Sequence, residues 1–196
     1  MTINKEERMK KIIPVMFIYA ALAFLPFNYA QAKNAGEGNM KKILIAYYSH
    51  SGNTAKIAKQ IQKHTGGDIF EIKTKDEYPS KYNDLLNQAK KEISDGYKPA
   101  LISKVTNIED YDIIFVGSPN WWSTIAPAVA SFLSEYGFSG KTIVPFCTHG
   151  GGGVSRCFDD MKKLRPDAKF SEGKGFYQSD ASENEISDWL KKLNLQ

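Results

Sequence analysis

From Lys41 onward, short unbroken apolar runs alternate with stretches whose apolar residues recur every three or four positions. Ile43 to Tyr48 (ILIAYY) has no polar break, the pattern of a strand buried on both faces of a sheet. Ile113 to Gly117 (IIFVG) and Thr142 to Cys147 (TIVPFC) repeat it, although Pro145 lacks the N–H that a ladder needs. Asp68 to Ile72 is a shorter strand, and Ala168 to Tyr177 is another with a glycine-containing extension. Between them the spacing predicts helices. Asn53 to His64 turns Ile57, Ala58 and Ile61 inward and stops at Gly66-Gly67, and Lys81 to Ser94 gathers Leu85, Leu86, Ala89 and Ile93 before Gly96 and Pro99. Pro127 to Tyr136 opens on a proline, and Val154 to Leu164 and Glu183 to Leu193 complete the set. Five strands alternating with five helices predict one doubly wound, five-stranded parallel sheet in a three-layer α/β/α sandwich over residues 41–196.

The first 32 residues break this rhythm. Lys10-Lys11 precede an apolar run from Ile12 to Phe27, and Ala30-Gln31-Ala32 follows, which is the order of a secretory signal peptide cut after Ala32. A membrane anchor is the alternative, but sixteen residues with Pro14 and Pro26 near the ends fall short of the ~20 that span a bilayer. The expectation is an exported, periplasmic chain with residues 33–40 as a flexible lead-in and no stable membrane span after cleavage.

Composition narrows the function classes. A hydrophobic share of 42% with 24% charged residues describes a globular chain able to bury one core and support a pocket. The net charge of +4 falls to +2 without residues 1–32, which hold four Lys/Arg and two Asp/Glu, so nothing argues for nucleic acid. Cys147 and Cys157 are the only cysteines; they form no disulfide framework, though an oxidising compartment makes a bridge between them possible.

In a doubly wound sheet, ligands bind at the carboxyl ends of the central strands. After the first strand comes Ser49-His50-Ser51-Gly52-Asn53-Thr54, opening a helix whose free N–H groups and positive dipole end face the loop. Three hydroxyls and an amide can donate there, and Gly52 admits a phosphate close to the backbone. No Lys completes a triphosphate loop and no G-x-G-x-x-G is present, which leaves a site for one terminal phosphate bound by neutral donors. Alternatively, Ser51 merely caps the helix. After the second central strand stand Pro119-Asn120-Trp121-Trp122-Ser123, where either indole can pack against a flat ring. After the third stand Thr148-His149-Gly150-Gly151-Gly152, followed by Gly153, whose backbone amides are open to a ring edge. His149 either approaches that edge or caps a turn.

Ser49 to Thr54 after a buried first strand resembles the phosphate loop of the flavodoxin family at each of its fixed positions, and the likeness runs from about Lys41 to Leu195. The resemblance implies FMN as a non-covalent cofactor, with Ser49, His50, Ser51, Gly52, Asn53 and Thr54 around its phosphate. It places Pro119, Asn120, Trp121, Trp122 and Ser123 on one side of the ring and Thr148, His149, Gly150, Gly151 and Gly152 on the other. It also implies electron transfer to a redox partner protein or a small-molecule acceptor, with the chemistry carried by the flavin and no catalytic side chain required.

Other chemistries on this architecture lack their residues. Tyr47-Tyr48-Ser49 supplies no acid for a receiver-domain magnesium site. Gly153 stands where a cysteine phosphatase starting at Cys147 needs Arg, and no G-x-S-x-G is present. Two alternatives stay open: an FMN-dependent NAD(P)H reductase acting on a quinone or similar acceptor, and a non-redox anion-binding module.

Overall fold

The computed structural model describes residues 41–195. The leader and lead-in read in residues 1–40 lie outside the described residues. The central strands are β1 (Ile43–Tyr47), β3 (Ile113–Trp121) and β5 (Thr142–His149), with β2 (Asp68–Glu71) on the far side of β1. Beyond β5 lie β6 (Lys169–Phe170) and β7 (Lys174–Tyr177), and β4 (Thr124–Ile125) folds back antiparallel onto β3. The sheet order is β2-β1-β3-β5, then β6 and β7 in turn along the far edge of β5, all parallel. This is the expected five-position parallel sheet with its last position split. The split lies between Ile143↔Phe170 and Phe146↔Lys174, opposite Pro145, whose missing N–H interrupts the ladder there.

Alternation along each strand sorts the core into two layers. Ile45, Tyr47, Phe115 and Phe146 pack under α1 (Asn53–Thr65) and α5 (Glu183–Lys192), whose Ile57, Ala58, Ile61, Ile186, Trp189 and Leu190 are buried. Leu44, Ala46, Ile114, Val116 and Cys147 face the other way, toward α2 (Tyr82–Asp95), α3 (Pro127–Glu135) and α4 (Cys157–Leu164). The expected helices are all present. However, α4 starts at Cys157 rather than Val154, because Ser155 sits at φ 46, outside the helical region. Among the described residues, no helix is long and apolar enough to cross a membrane.

The chain moves from β1 outward to β2, then crosses to β3 on the other side of β1. This reversal opens a crevice above the carboxyl ends of β1 and β3. The register keeps those ends level, with Tyr47 opposite Gly117 and Pro119 opposite Thr148, so the three loops emerge side by side.

Two consequences are measurable. A Cβ on Gly117 would lie 2.1 Å from Cζ of the buried Phe146, so Gly117→Ala should lower stability by about 1–3 kcal/mol, read from the urea midpoint. Tyr111 donates to Asp68 Oδ2 at 2.7 Å, and burial, followed by that carboxylate, pushes its phenol up to about 12. The resulting stability is complete below pH ~10, the unfolded value, and is lost as pH rises through 12. Urea midpoints should therefore fall between pH ~10 and 12, and less steeply for Tyr111→Phe.

Candidate functional site

The loop between β1 and α1 leaves the helix end open. Gly52, at φ 86, occupies the N-cap position, and no side chain caps the first turn. The reading of Ser51 as a simple cap therefore fails; Ser51 is exposed beside the crevice. No acidic residue lies in the first turn of α1, whereas α5 is closed by Ser182 accepting from Glu185 N, with Glu183 and Glu185 in its first turn. Next to the open end, Ser49 Oγ is buried without a hydrogen-bond partner. An unpaired buried hydroxyl costs about 1–3 kcal/mol, which an anion at this helix end would recover. Thr54 also links two elements, since the hydroxyl of this buried residue lies 2.8 Å from Oγ1 of the equally buried Thr148 and ties the start of α1 to the end of β5. That bond uses one of the two hydroxyl protons and leaves the other for a ligand.

Pro119, Asn120 and Trp121 continue β3 instead of forming a loop, because Asn120 and Trp121 pair with Ile125 and Thr124 of β4. Trp122 and Ser123 form the two-residue turn with φ of 51 and 66. Such a turn requires positive φ at both positions and favours Asn-Gly, so a Trp-Ser pair stores strain. The neighbours hold it: Trp122 Nε1 donates to Leu86 O of α2 at 3.1 Å, Lys90 Nζ sits 5.1 Å from the indole, and Arg156 N donates to Ser123 O.

The two tryptophans thus part company. Trp121 packs edge-on against Tyr48, Tyr78 and His50, with centroids 5.6, 5.1 and 6.0 Å away. Tyr78 donates to Glu92 Oε2, which also raises the phenol beyond the effect of burial. Trp122 stays 46% exposed at the rim.

β5 runs to His149, whose Nδ1 accepts from Gly151 N at 3.3 Å; the imidazole caps the turn and also lines the crevice. Asn120 Nδ2 donates to Gly153 O at 2.8 Å and lies 3.3 Å from Ser155 Oγ, so it staples the tryptophan hairpin to the glycine loop.

These elements enclose a cavity of about 500 Å3, within the usual size of cofactor pockets. Of the residues singled out from the sequence, Ser51, Asn53, Pro119, Asn120, Trp121, Trp122, Thr148, His149 and Gly150 line it. Ser49 and His50 line an adjoining cavity of about 720 Å3 that shares Ser51, Tyr82 and Leu85 with the first. Ser123 and Gly152 line a smaller one behind Asn120. Gly52, Thr54 and Gly151 line none of these three. Tyr82, Leu85, Leu86 and Ala89 of α2 and Gln178 also line the main cavity, and sequence reasoning missed them. Helical spacing assigned the α2 leucines to the core. Only Tyr82, 70% exposed beside that apolar face, carried a signal.

The family model for flavodoxins matches residues 42–193. A curated flavodoxin from Buchnera aphidicola is 30% identical over 115 residues, which is 55% of this chain and half the length of that relative. Among solved structures, a protein assigned as a flavoprotein from Bacteroides eggerthii is 32% identical with a TM-score of 0.71, over 79% of this chain and 99% of the other. A Lactobacillus acidophilus flavoprotein, solved in complex with FMN, shares the fold at 22% identity and a TM-score of 0.61, over 76% and 98% of the two chains.

Asn120→Ala should release the glycine loop while leaving the sheet in place. The expected loss is about 1 kcal/mol in urea unfolding, with faster amide exchange confined to residues 150–155.

Proposed function

Because the chain belongs to the flavodoxin family, we propose that it binds FMN non-covalently and passes electrons to a redox partner protein or a small-molecule acceptor. The observation that carries this reading is the orphaned Ser49 hydroxyl at an uncapped helix end without acidic residues, opening onto the crevice beside an aromatic-lined cavity. Ser49, Ser51, Asn53 and Thr54, with the first N–H groups of α1, would hold the phosphate; neutral donors and the helix dipole suffice for one dianion. Trp121 and Trp122 would bound the ring on one side, and Thr148 to Gly152 on the other. FMN supplies the redox chemistry when bound. The chain's own part is to bind, orient and shield, and the strained hairpin and the Asn120 staple keep the two ring-flanking segments at fixed separation.

A specific observation favours a second reading, an NAD(P)H-dependent reductase. The adjoining cavity of about 720 Å3 shares a wall with the main one, and beyond the Ser49 to Ser51 end that the phosphate would take, its side along Glu71 to Thr74 offers room for a second small molecule. Export to the periplasm belongs to the same proposal and rests on Lys10-Lys11, the apolar run and Ala30-Gln31-Ala32.

The visible spectrum of the full chain, before and after adding FMN, separates these readings. Bound flavin bleached only by dithionite supports the carrier, and bleaching by NADPH supports the reductase. A colourless protein that takes up no FMN leaves the anion-binding module. Ser49→Ala should weaken FMN by about 1.5–3 kcal/mol, roughly ten- to a hundred-fold in Kd, without lowering the stability of the ligand-free protein, since its hydroxyl has no partner there. Thr54→Ala should lower both, because it also breaks the bond to Thr148.

A further inference from the structure

Cys147 and Cys157, the only two cysteines of the chain, face each other with their sulfurs 3.5 Å apart, and both side chains are completely buried. Cys147 is locked in β5 between β3 and β7, and Cys157 is the first residue of α4. Between them runs the third ligand-facing segment, Thr148, His149 and four glycines, followed by Val154, Ser155 and Arg156; Gly151 and Gly153 adopt φ of 123 and 63. A disulfide needs the sulfurs to close by roughly 1.5 Å, to about 2.05 Å. The pair also has no competing thiol within the chain.

We propose that Cys147 and Cys157 are a reversible disulfide site whose oxidation ties down the glycine loop at both ends and so tightens the cavity's hold on its ligand. The bond itself stands independently of the flavin reading; only its effect on the ligand rests on that reading. A loop with four glycines has many open states, and a covalent tie across its base removes them without altering a ligand contact. The tie thus preorganises the base of a segment whose middle is held by the bond from Asn120 to Gly153 O and by the bond from Gly151 N to His149. By linkage, a bound ligand favours the disulfide to the same extent.

The oxidant is a disulfide compound, for which glutathione disulfide is the probe. Once the loop opens, Cys157 reacts first, because it stands at the start of α4 after four glycines while Cys147 is held in a paired strand. Its thiol gives a proton to water, and its sulfur attacks one sulfur of the oxidant. A mixed disulfide forms and one glutathione thiolate leaves. Cys147 then gives up its proton and attacks the Cys157 sulfur, forming the internal bond and expelling the second glutathione. Two protein thiols lose two electrons and two protons, and one glutathione disulfide becomes two glutathione thiols. Hydrogen bonding to Cys157, together with burial, pushes the Cys147 thiol well up, which keeps Cys147 protonated while it stays buried.

The full chain, purified under reducing conditions, is incubated with glutathione disulfide, denatured, treated with iodoacetamide and weighed. The expected product has lost two hydrogens, carries no alkyl or glutathione adduct, and yields a linked Cys147–Cys157 peptide on digestion. Cys157→Ser should keep one cysteine that is alkylated or glutathionylated. Two alkylated cysteines or two glutathione adducts in the wild type would overturn the proposal. FMN titration should then show affinity about threefold or more tighter for the oxidised than for the reduced wild type, with no difference in Cys157→Ser. Equal affinity in the two wild-type states would overturn the loop-closing effect. If neither state binds FMN, the flavin reading fails, while the mass measurement still decides the disulfide.

Discussion

The pairing of β3 with β1 on one edge and β5 on the other is the constraint on which the rest depends. A strand buried on both faces and paired on both edges leaves no backbone group for water to satisfy, so its register is strongly specified. That register brings the ends of three strands to one level, and the order reversal at β1 and β3 leaves the space above them uncovered. Gly117 shows how tight this centre is, since the Phe146 ring occupies the place of a side chain there.

Above this frame, polar groups are satisfied unevenly. Helix α5 is capped by its own serine and supported by acidic residues. The helix at the crevice, α1, has neither, and the nearby Ser49 hydroxyl has no partner. An anion at this end of α1 would partner both the free N–H groups of its first turn and the Ser49 hydroxyl. Thr54 and Thr148 add a link across the crevice, since one buried hydroxyl pair joins the start of α1 to the strand that carries the glycine loop. Strain is concentrated in the same place, at Trp122 and Ser123, where α2 and α4 hold a turn that the two residues disfavour on their own.

Much of this is legible in the sequence because it rests on local patterns. Continuous apolar runs identified the buried strands, three-to-four spacing identified the helices, and Ser49 to Thr54 at a strand-to-helix junction identified the hydroxyl-rich loop at the crevice. Other features depended on partners distant in sequence. The apolar run of β3 ends at Gly117, but the strand continues to Trp121 because β4 pairs with it. Adjacent Trp121 and Trp122 read alike until Tyr48 and Tyr78 collect one and Leu86 O takes the other. The break between β6 and β7 had a visible cause in Pro145, but its position needed the register.

By itself the sequence determined the class of fold, the three strand ends at which to look and the hydroxyl-rich loop, because hydrophobic period and helix-start chemistry act over a few residues. Only the tertiary structure decided that α2 walls the cavity, that Asn120 is a staple, that Thr54 is half structural and that Cys147 and Cys157 meet. Those outcomes depend on which distant segments are packed together, and burial and hydrogen-bond satisfaction are properties of that packing, not of the local chain.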